Sequence, residues 1–588
     1  VGPFEDFQSY LQYLETQGLL KRIGVEVDPE LEITEIATRV VREEGPALLF
    51  DRVKGSTYRL AINFMGSPKL IEIILGMHPR QFGEQFATLL ETLNPPSLGA
   101  IWDTRWFWPR MLASRPQRVL RGLCQEVEED PDLDLLPIIK CWPKDGGKFL
   151  TFPLVITEDP HTGISNMGIY RMHVYGRDIT GMHMQIQKGV GFHYHEAEKK
   201  GEPLELACVL GADPTTMLAG VFPLPEGFEE IAFSGMLRGK RPRLVKARTI
   251  DVLVPATAEI VLEGVVPPVE RRMEGPFGDH FGHYSDAHPF PVFHIKKVTR
   301  RRNAIYPAAV VGKPPQEDRY MGDASQEILI PFIKMMRPEV RDMWAYYQAG
   351  FHNLFVVAVE GRYTKEPVKT ALGLFGEGQL GLSKCIVLVE PSVNVRNFSE
   401  VLRAIQRHFD PANDFILVSR APLDTLDFTS FKMHQGSKIV IDATGRDAAS
   451  ASARPPEVDP SVLGSGVHKW RLLEDTLLVL QVERDARATL ERAVRSPWIG
   501  SVKIVATVSP DVDIEDDVNL IWGIFTRFDP ARDILFTRMS MSGIAPVYEG
   551  VMGIDATWKK GYPEPLVMDP EIVAMVDKRW NRYWSQTV

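Results

Sequence analysis

The chain has 588 residues, 44% of them apolar and 24% charged, with a formal net charge of −10 at pH 7. This is an ordinary globular composition, long enough for several domains, and the acidic balance argues against a general nucleic-acid binder. No apolar run approaches the roughly 18 residues that span a bilayer, and the four cysteines (Cys124, Cys141, Cys208 and Cys385) form no C-x-x-C pair, so neither zinc nor a redox dithiol is suggested.

The first residues, VGPFED, do not read as a signal peptide, and with so little cysteine the chain reads as cytoplasmic. Residues 5–18 have the spacing of an amphipathic helix, with Phe7, Leu11 and Leu14 on one face and Gly18 as the stop. From about 119 to 325 the pattern changes to short β-like runs punctuated by Gly and Pro: 152–157, 244–249, 259–263, 292–298 and 304–311. The basic cluster 300–302 reads as a solvated strand end.

The C-terminal part carries an internal repeat. Residues 384–395 (KCIVLVEPSVNV) match 503–514 (KIVATVSPDVDI), 409–414 (FDPAND) match 528–533 (FDPARD), and 441–444 match 554–557. Upstream, 355–360 (FVVAVE) resembles 478–483 (LVLQVE). The first copy runs strand (385–389), helix (399–409), strand (415–418), which argues βαβ units on a mostly parallel sheet. Between the copies lies an Ala/Ser/Pro-rich connector. At the end, Asp569-Pro570 predicts a helix start. An apolar stripe of Ile572, Met575, Val576, Trp580, Tyr583 and Trp584 follows, which must dock on the chain itself or on a neighbouring subunit. The divisions are an N-terminal α/β domain (1–118), a β-rich central domain (119–330), a first α/β repeat (331–447), a linker (448–466), a second repeat (467–565), and a C-terminal helix (566–588) expected at an oligomer contact.

Chemically suggestive residues cluster in the centre. Residues 166–171 (NMGIYR) follow a turn-like DPHTG. In 182–189 (MHMQIQKG), strand alternation puts Met182, Met184 and Ile186 on one face and His183, Gln185 and Gln187 on a polar exterior. His193, His195 and Glu196 read as surface groups. In 274–280 (EGPFGDH), two carboxylates are held five positions apart by a Gly/Pro turn; a fixed acid pair beside an arginine can split its pKa values and donate a proton. An ordinary acidic turn has the same sequence. There is no P-loop, no G-x-S-x-G elbow, and 373–378 (GLFGEG) is not a dinucleotide fingerprint.

In these blocks, together with 211–214 (GADP), 232–239 (AFSGMLRG), 258–264 (AEIVLEG) and 312–315 (GKPP), the sequence resembles the UbiD family of reversible decarboxylases over nearly its whole length. The resemblance implies a multi-domain α/β (α+β) fold. A central split β-barrel of flavin-reductase type would lie between an N-terminal α/β domain and a C-terminal α/β domain, here internally duplicated. It implies prenylated FMN, made by a partner flavin prenyltransferase, with its phosphate bridged by a divalent metal, usually manganese, often with potassium nearby.

Carried over by motif, Asn166 and Glu230 correspond to metal ligands. Asn166, Ile169, Tyr170, Arg171, Gln187, Lys188 and Lys384 correspond to cofactor contacts. Lys188 stands where some members have a third metal ligand, a histidine; a lysine would meet the phosphate as a charge instead. Lys503 repeats Lys384, and the first copy is favoured for the contact.

Arg171, Glu274 and Asp279 correspond to the catalytic network, with Asp279 where other members carry Glu. In the implied reaction the prenyl-flavin bonds the substrate beside its carboxylate and serves as electron sink while CO₂ leaves. Asp279 then protonates the product. That role requires a raised pKa for Asp279, with Arg171 pairing more closely with Glu274. The expected substrate is an aromatic or conjugated acid (a hydroxybenzoate, a prenylated hydroxybenzoate of quinone synthesis or a naphthoate), and the expected assembly a homodimer or larger. A flavin-reductase-like oxidoreductase, or a non-catalytic subunit of a carboxylase complex, are the alternatives.

Overall fold

A computed structural model describes residues 3–184, 189–224, 227–445, 463 and 466–585. The chain divides into two compact units, one of residues 1–328 with 564–588, the other of 329–563.

The first unit begins with the helix Phe7–Thr16. Asp6 caps it by accepting from Ser9 N at 2.8 Å, and Phe7, Leu11 and Leu14 are buried as their spacing predicts. A four-stranded sheet follows in the order Leu20–Ile23, Ala47–Phe50, Arg59–Ile62, Ile305–Pro307. The run 304–311, expected in the barrel, instead completes this sheet by pairing parallel to Arg59–Ile62.

The main body is a ten-stranded sheet that curls into a half-barrel. Its path runs Phe149–Leu150, Met172–Gly176, Ile179–Gly181, His288–Arg300, Ile260–Val266, Leu204–Leu210, Leu154–Glu158, Ser165–Ile169. Two further strands, Arg271–Glu274 and Val127–Glu129, pair with His288–Arg300. Ser165–Ile169 and Met172–Gly176 are consecutive in sequence, yet the first is one end of this path and the second lies one strand in from the other end. The chain therefore crosses the open seam at Tyr170-Arg171, which places both residues where the two sheet ends approach.

The helix Pro570–Ser585 returns to this unit. Its stripe packs on the helix Glu32–Arg42, with Val576 and Tyr583 buried among Ile33, Ile36 and Val40. Tyr583 Oη donates to Glu32 Oε1 at 2.6 Å, and Arg579 pairs with the same oxygen at 2.5 Å. Of the stripe expected at an oligomer contact, Val576 and Tyr583 are thus buried within their own unit, while Ile572, Met575, Trp580 and Trp584 pack on the same core and stay partly exposed.

The second unit holds two five-stranded sheets of the same strand order. The first is Val340–Ala345, Phe355–Val359, Cys385–Val389, Gly436–Ala443, Phe415–Ala421; the second is Val467–Leu473, Leu477–Val482, Ile504–Val508, Ala545–Ala556, Ile534–Ser542. In both, the three inner strands run parallel and the outer ones antiparallel. The repeats share one apolar core, to which Val387, Ile405 and Phe415 come from one copy and Ala506, Leu520 and Phe536 from the other.

The pairing is reciprocal. Lys384 Nζ donates to Phe528 O at 3.0 Å, and Lys503 Nζ donates to Phe409 O at 3.0 Å. Lys384 and Lys503, like Phe409 and Phe528, are matched positions of the repeat, so the two copies face each other about a pseudo-twofold axis. Among the described residues no helix is long and apolar enough to cross a membrane.

Candidate active site

The turn between Arg271–Glu274 and Tyr284–Ser285 is fixed by a buried carboxylate. Asp145 accepts from Trp142 N at 2.9 Å and Gly278 N at 2.7 Å, and burial pushes its pKa up to about 6. Only glycine fits at 278, because a Cβ there would come within 2.1 Å of Trp142 Cδ1. This clamp presents Glu274 and Asp279 to the seam from one side while Arg171 enters from the other.

Arg171 binds both acids. Its Nε donates to Glu274 Oε1 at 3.0 Å, one Nη donates to Asp279 Oδ2, and the other donates to Ser285 Oγ at 3.1 Å. Its guanidinium lies 4.5 Å from the ring centre of Phe277. All three charged side chains are about nine-tenths buried or more. Burial opposes ionisation of Glu274, but Arg171 and His183 more than offset it and hold the carboxyl below its ordinary range. The same opposition is decided more strongly at Asp279, where Arg171 together with the ring and backbone N–H of His280 hold the pKa well down.

This reverses the expectation that Arg171 would favour Glu274 and leave Asp279 protonated. Asp279 takes the closer guanidinium contact and is ionised. The cause is geometric: Asp279 also receives His280 N and Nδ1 on its other oxygen, both at 2.8 Å.

His183 also departs from the alternation reading. The strand ends at Gly181, and His183 is buried with Nδ1 2.6 Å from Glu274 Oε2. His193 is buried too, on Thr157 Oγ1 at 2.9 Å, whereas His195 is exposed. Neither His183 nor Ser285 stands out as functional in the sequence. His280 does so only as the neighbour of Asp279. Asp318, whose pKa burial raises to about 6, feels the charges of His280 and Asp279 and has no local signal at all.

The expected metal ligands come together. Glu230 opens the helix Glu230–Arg238, and its Oε2 accepts from Met167 N at 2.8 Å, beside Asn166 on Ser165–Ile169. Asn166 Nδ2 donates to Tyr170 Oη at 3.4 Å, leaving Oδ1 toward Gly189, where a Cβ would sit 2.0 Å away. Burial pushes Glu230 up to about 7, so a cation there would relieve a desolvated carboxylate. Two oxygen donors suit a hard divalent ion. No group of three or more His, Cys, Asp or Glu with metal-site geometry occurs among the described residues.

Ile169 is half-buried and Tyr170 buried at the seam. Gln187 and Lys188 lie outside the described residues. Lys384, the expected cofactor contact from the first repeat, has no exposed side-chain surface, and its Nζ pairs with Asp427 at 3.0 Å as well as with Phe528 O.

Fold and site together define a multi-domain α/β enzyme with a buried arginine–dicarboxylate centre. Three family models match, described as the 3-octaprenyl-4-hydroxybenzoate carboxy-lyase N-terminal domain (residues 11–90), Rift-related domain (117–314) and C-terminal domain (319–443 and 467–556). The chain is 41% identical to an uncharacterized protein of Archaeoglobus fulgidus over 450 residues, 75% of this chain and 92% of that one. It is 34% identical to a protein of Chlamydia pneumoniae named as a component of 4-hydroxybenzoate decarboxylase, over 583 residues and 98% of both chains.

Among solved structures, the vanillic acid decarboxylase of Sedimentibacter hydroxybenzoicus matches with a TM-score of 0.67 and 26% identity, covering 78% of this chain and 96% of that one. The UbiD-class enzyme HmfF of Pelotomaculum thermopropionicum, in complex with FMN, matches with a TM-score of 0.64 and 27% identity, covering 75% and 95%. The chain belongs to the UbiD family, and it is a carboxy-lyase.

Proposed function

We propose that this enzyme catalyses the non-oxidative, reversible decarboxylation of an aromatic or conjugated carboxylic acid, hydroxybenzoate- or naphthoate-like, with prenylated FMN as cofactor. The observation that carries the reading is the buried fork of Arg171 between Glu274 and Asp279. The activities for which the relatives are named agree with it. When bound, prenylated FMN supplies an electrophilic carbon and an electron sink. Asn166 and Glu230 would hold a divalent cation, manganese by the family resemblance, against its phosphate.

The chain's own groups account for binding and proton transfer. The substrate carboxylate is an anion entering a buried site whose central cation is Arg171. It competes with Asp279 for that guanidinium. As Asp279 loses the contact, only His280 still opposes burial, so its pKa rises and it can take a proton. After CO₂ leaves, Asp279 delivers that proton to the ring carbon. Glu274, braced by His183, keeps Arg171 in place throughout. In the reverse direction Asp279 removes the ring proton.

The test is to co-express the chain with a flavin prenyltransferase and analyse the bound flavin by mass spectrometry. Aromatic acids and their decarboxylated products are then screened for H/D exchange in D₂O. Prenylated FMN with exchange is expected; plain FMN with NAD(P)H turnover, or no flavin, would overturn the reading. Glu230→Ala should lose flavin and metal together, and full flavin absorbance with full metal content in that variant would remove Glu230 from the cation site.

A further inference from the structure

His183 has two ring nitrogens in opposite situations. Nδ1 lies 2.6 Å from Glu274 Oε2, while Nε2 is buried with no hydrogen-bond partner among the described residues. The ring is held rigidly. His183 N donates to Arg171 O at 3.3 Å, Met182 N donates to Pro291 O at 2.9 Å, and the imidazole centre lies 4.4 Å from that of Phe290. The orphaned nitrogen is therefore held in a fixed position on a ring that is anchored to Glu274, the partner of Arg171.

The state of the ring follows from its neighbours. Glu274 takes Arg171 Nε–H on Oε1, so it is ionised and acceptor-only, and Nδ1 must carry the hydrogen it shares with Oε2. The charged groups acting on the ring are Arg171, Glu274 and Asp279. Burial and then Arg171 lower its pKa, and the two carboxylates oppose this without reversing it. A neutral imidazole with hydrogen on Nδ1 presents a bare lone pair at Nε2. A buried acceptor with nothing to accept from is costly, and it is the kind of group a site keeps for its ligand.

We propose that His183 is a substrate-positioning residue whose Nε2 accepts a hydrogen bond from a ring hydroxyl, so that the enzyme selects a phenolic acid over its unhydroxylated or O-methylated counterpart. The proposal rests on the decarboxylase reading of the same site and narrows its substrate class. The substrate's carboxylate meets Arg171, and its hydroxyl, a donor that a methoxyl group lacks, meets Nε2. One residue thereby links recognition of the ring to the acid that steadies Arg171.

The test compares 4-hydroxybenzoate with 4-methoxybenzoate, and a hydroxynaphthoate with its methyl ether, on the flavin-loaded full chain. Binding is read by titration calorimetry and turnover separately. The hydroxy acid of at least one pair should bind more tightly, by about tenfold or more. His183→Asn keeps a donor near the Nδ1 position and, being shorter, leaves no acceptor at the Nε2 position. It should erase that preference, with the change in KM exceeding the change in kcat. In ¹⁵N-histidine spectra the His183 Nε2 resonance should be that of an unprotonated nitrogen and should move with the hydroxy acid only.

Equal binding of hydroxy and methoxy acids by the wild type would overturn the proposal. So would a His183→Asn variant that retains the preference, or a fall in kcat that is the same for both members of a pair. Selective, His183-dependent binding without turnover would instead leave this inference standing and remove the decarboxylase reading.

Discussion

Arg171 is one cation shared by two buried carboxylates, and most of the site's behaviour follows from that count. Asp279→Asn keeps the shape and removes the titratable proton; turnover should fall on the order of 10²-fold or more with flavin content intact. A near-normal rate of H/D exchange in that variant would assign the proton to another group. The same residue makes a pH prediction. Asp279 and Glu274 both have folded pKa values below their ordinary ones, so their contribution to stability is complete above the ordinary carboxylate range and is lost as pH falls through the folded values. In the cofactor-free protein, Asp279→Asn should flatten the loss of stability below about pH 4, measured as the urea midpoint against pH. An unchanged acid limb would contradict the ionised state. The acid pair and Arg171 are legible from a short Gly/Pro turn and an arginine in a family motif. Which acid Arg171 prefers is not, because His280 decides it through contacts a sequence pattern does not encode.

At the scale of elements, the two repeats hold each other by matched lysines, but their surroundings differ. Lys384 is wholly buried against Asp427, itself without exposed surface, whereas burial lowers the pKa of Lys503, which has only distant acids. Lys384→Met would strand a buried carboxylate and should destabilise the second unit by about 3–5 kcal/mol. Lys503→Met removes one hydrogen bond to a carbonyl and should cost about 1 kcal/mol. Hydrogen exchange of Cys385–Val389 and Ile504–Val508 measures both locally, and equal costs would refute the asymmetry. The duplication itself is plain in the sequence, since each copy repeats strand, turn, helix and strand with the same apolar spacing. The face-to-face pairing of the copies, which gives each lysine a carbonyl of the other copy, is not.

For the whole molecule, the C-terminal helix ties the end of the chain to its first hundred residues. Tyr583 and Arg579 converge on Glu32, which is 1% exposed. Tyr583→Phe should cost about 1.5–3 kcal/mol through the lost hydrogen bond to a charged group, read as a lower melting temperature of the first unit. No change would mean that Arg579 alone satisfies Glu32. The stripe is visible from its 3.6-residue period, but periodicity gives only the existence of an apolar face and not the surface that covers it.

The sequence by itself determined the class of fold, the repeat, many of the helices and strands, and Arg171, Glu274 and Asp279 as candidate site residues, because periodicity, turn chemistry and motif blocks are local properties. Only the tertiary structure decided that residues 305–307 complete the N-terminal sheet, that His183 lies inside beside Glu274, that Asp279 is ionised, and that Lys384 is buried against Asp427. Each of these depends on partners brought in from elsewhere in the chain, as Arg171 is for Asp279, or on a local contact that only the folded turn creates, as His280 makes with Asp279. Burial and charge pairing, which set protonation and availability, are sums over those partners and have no counterpart in any single stretch of sequence.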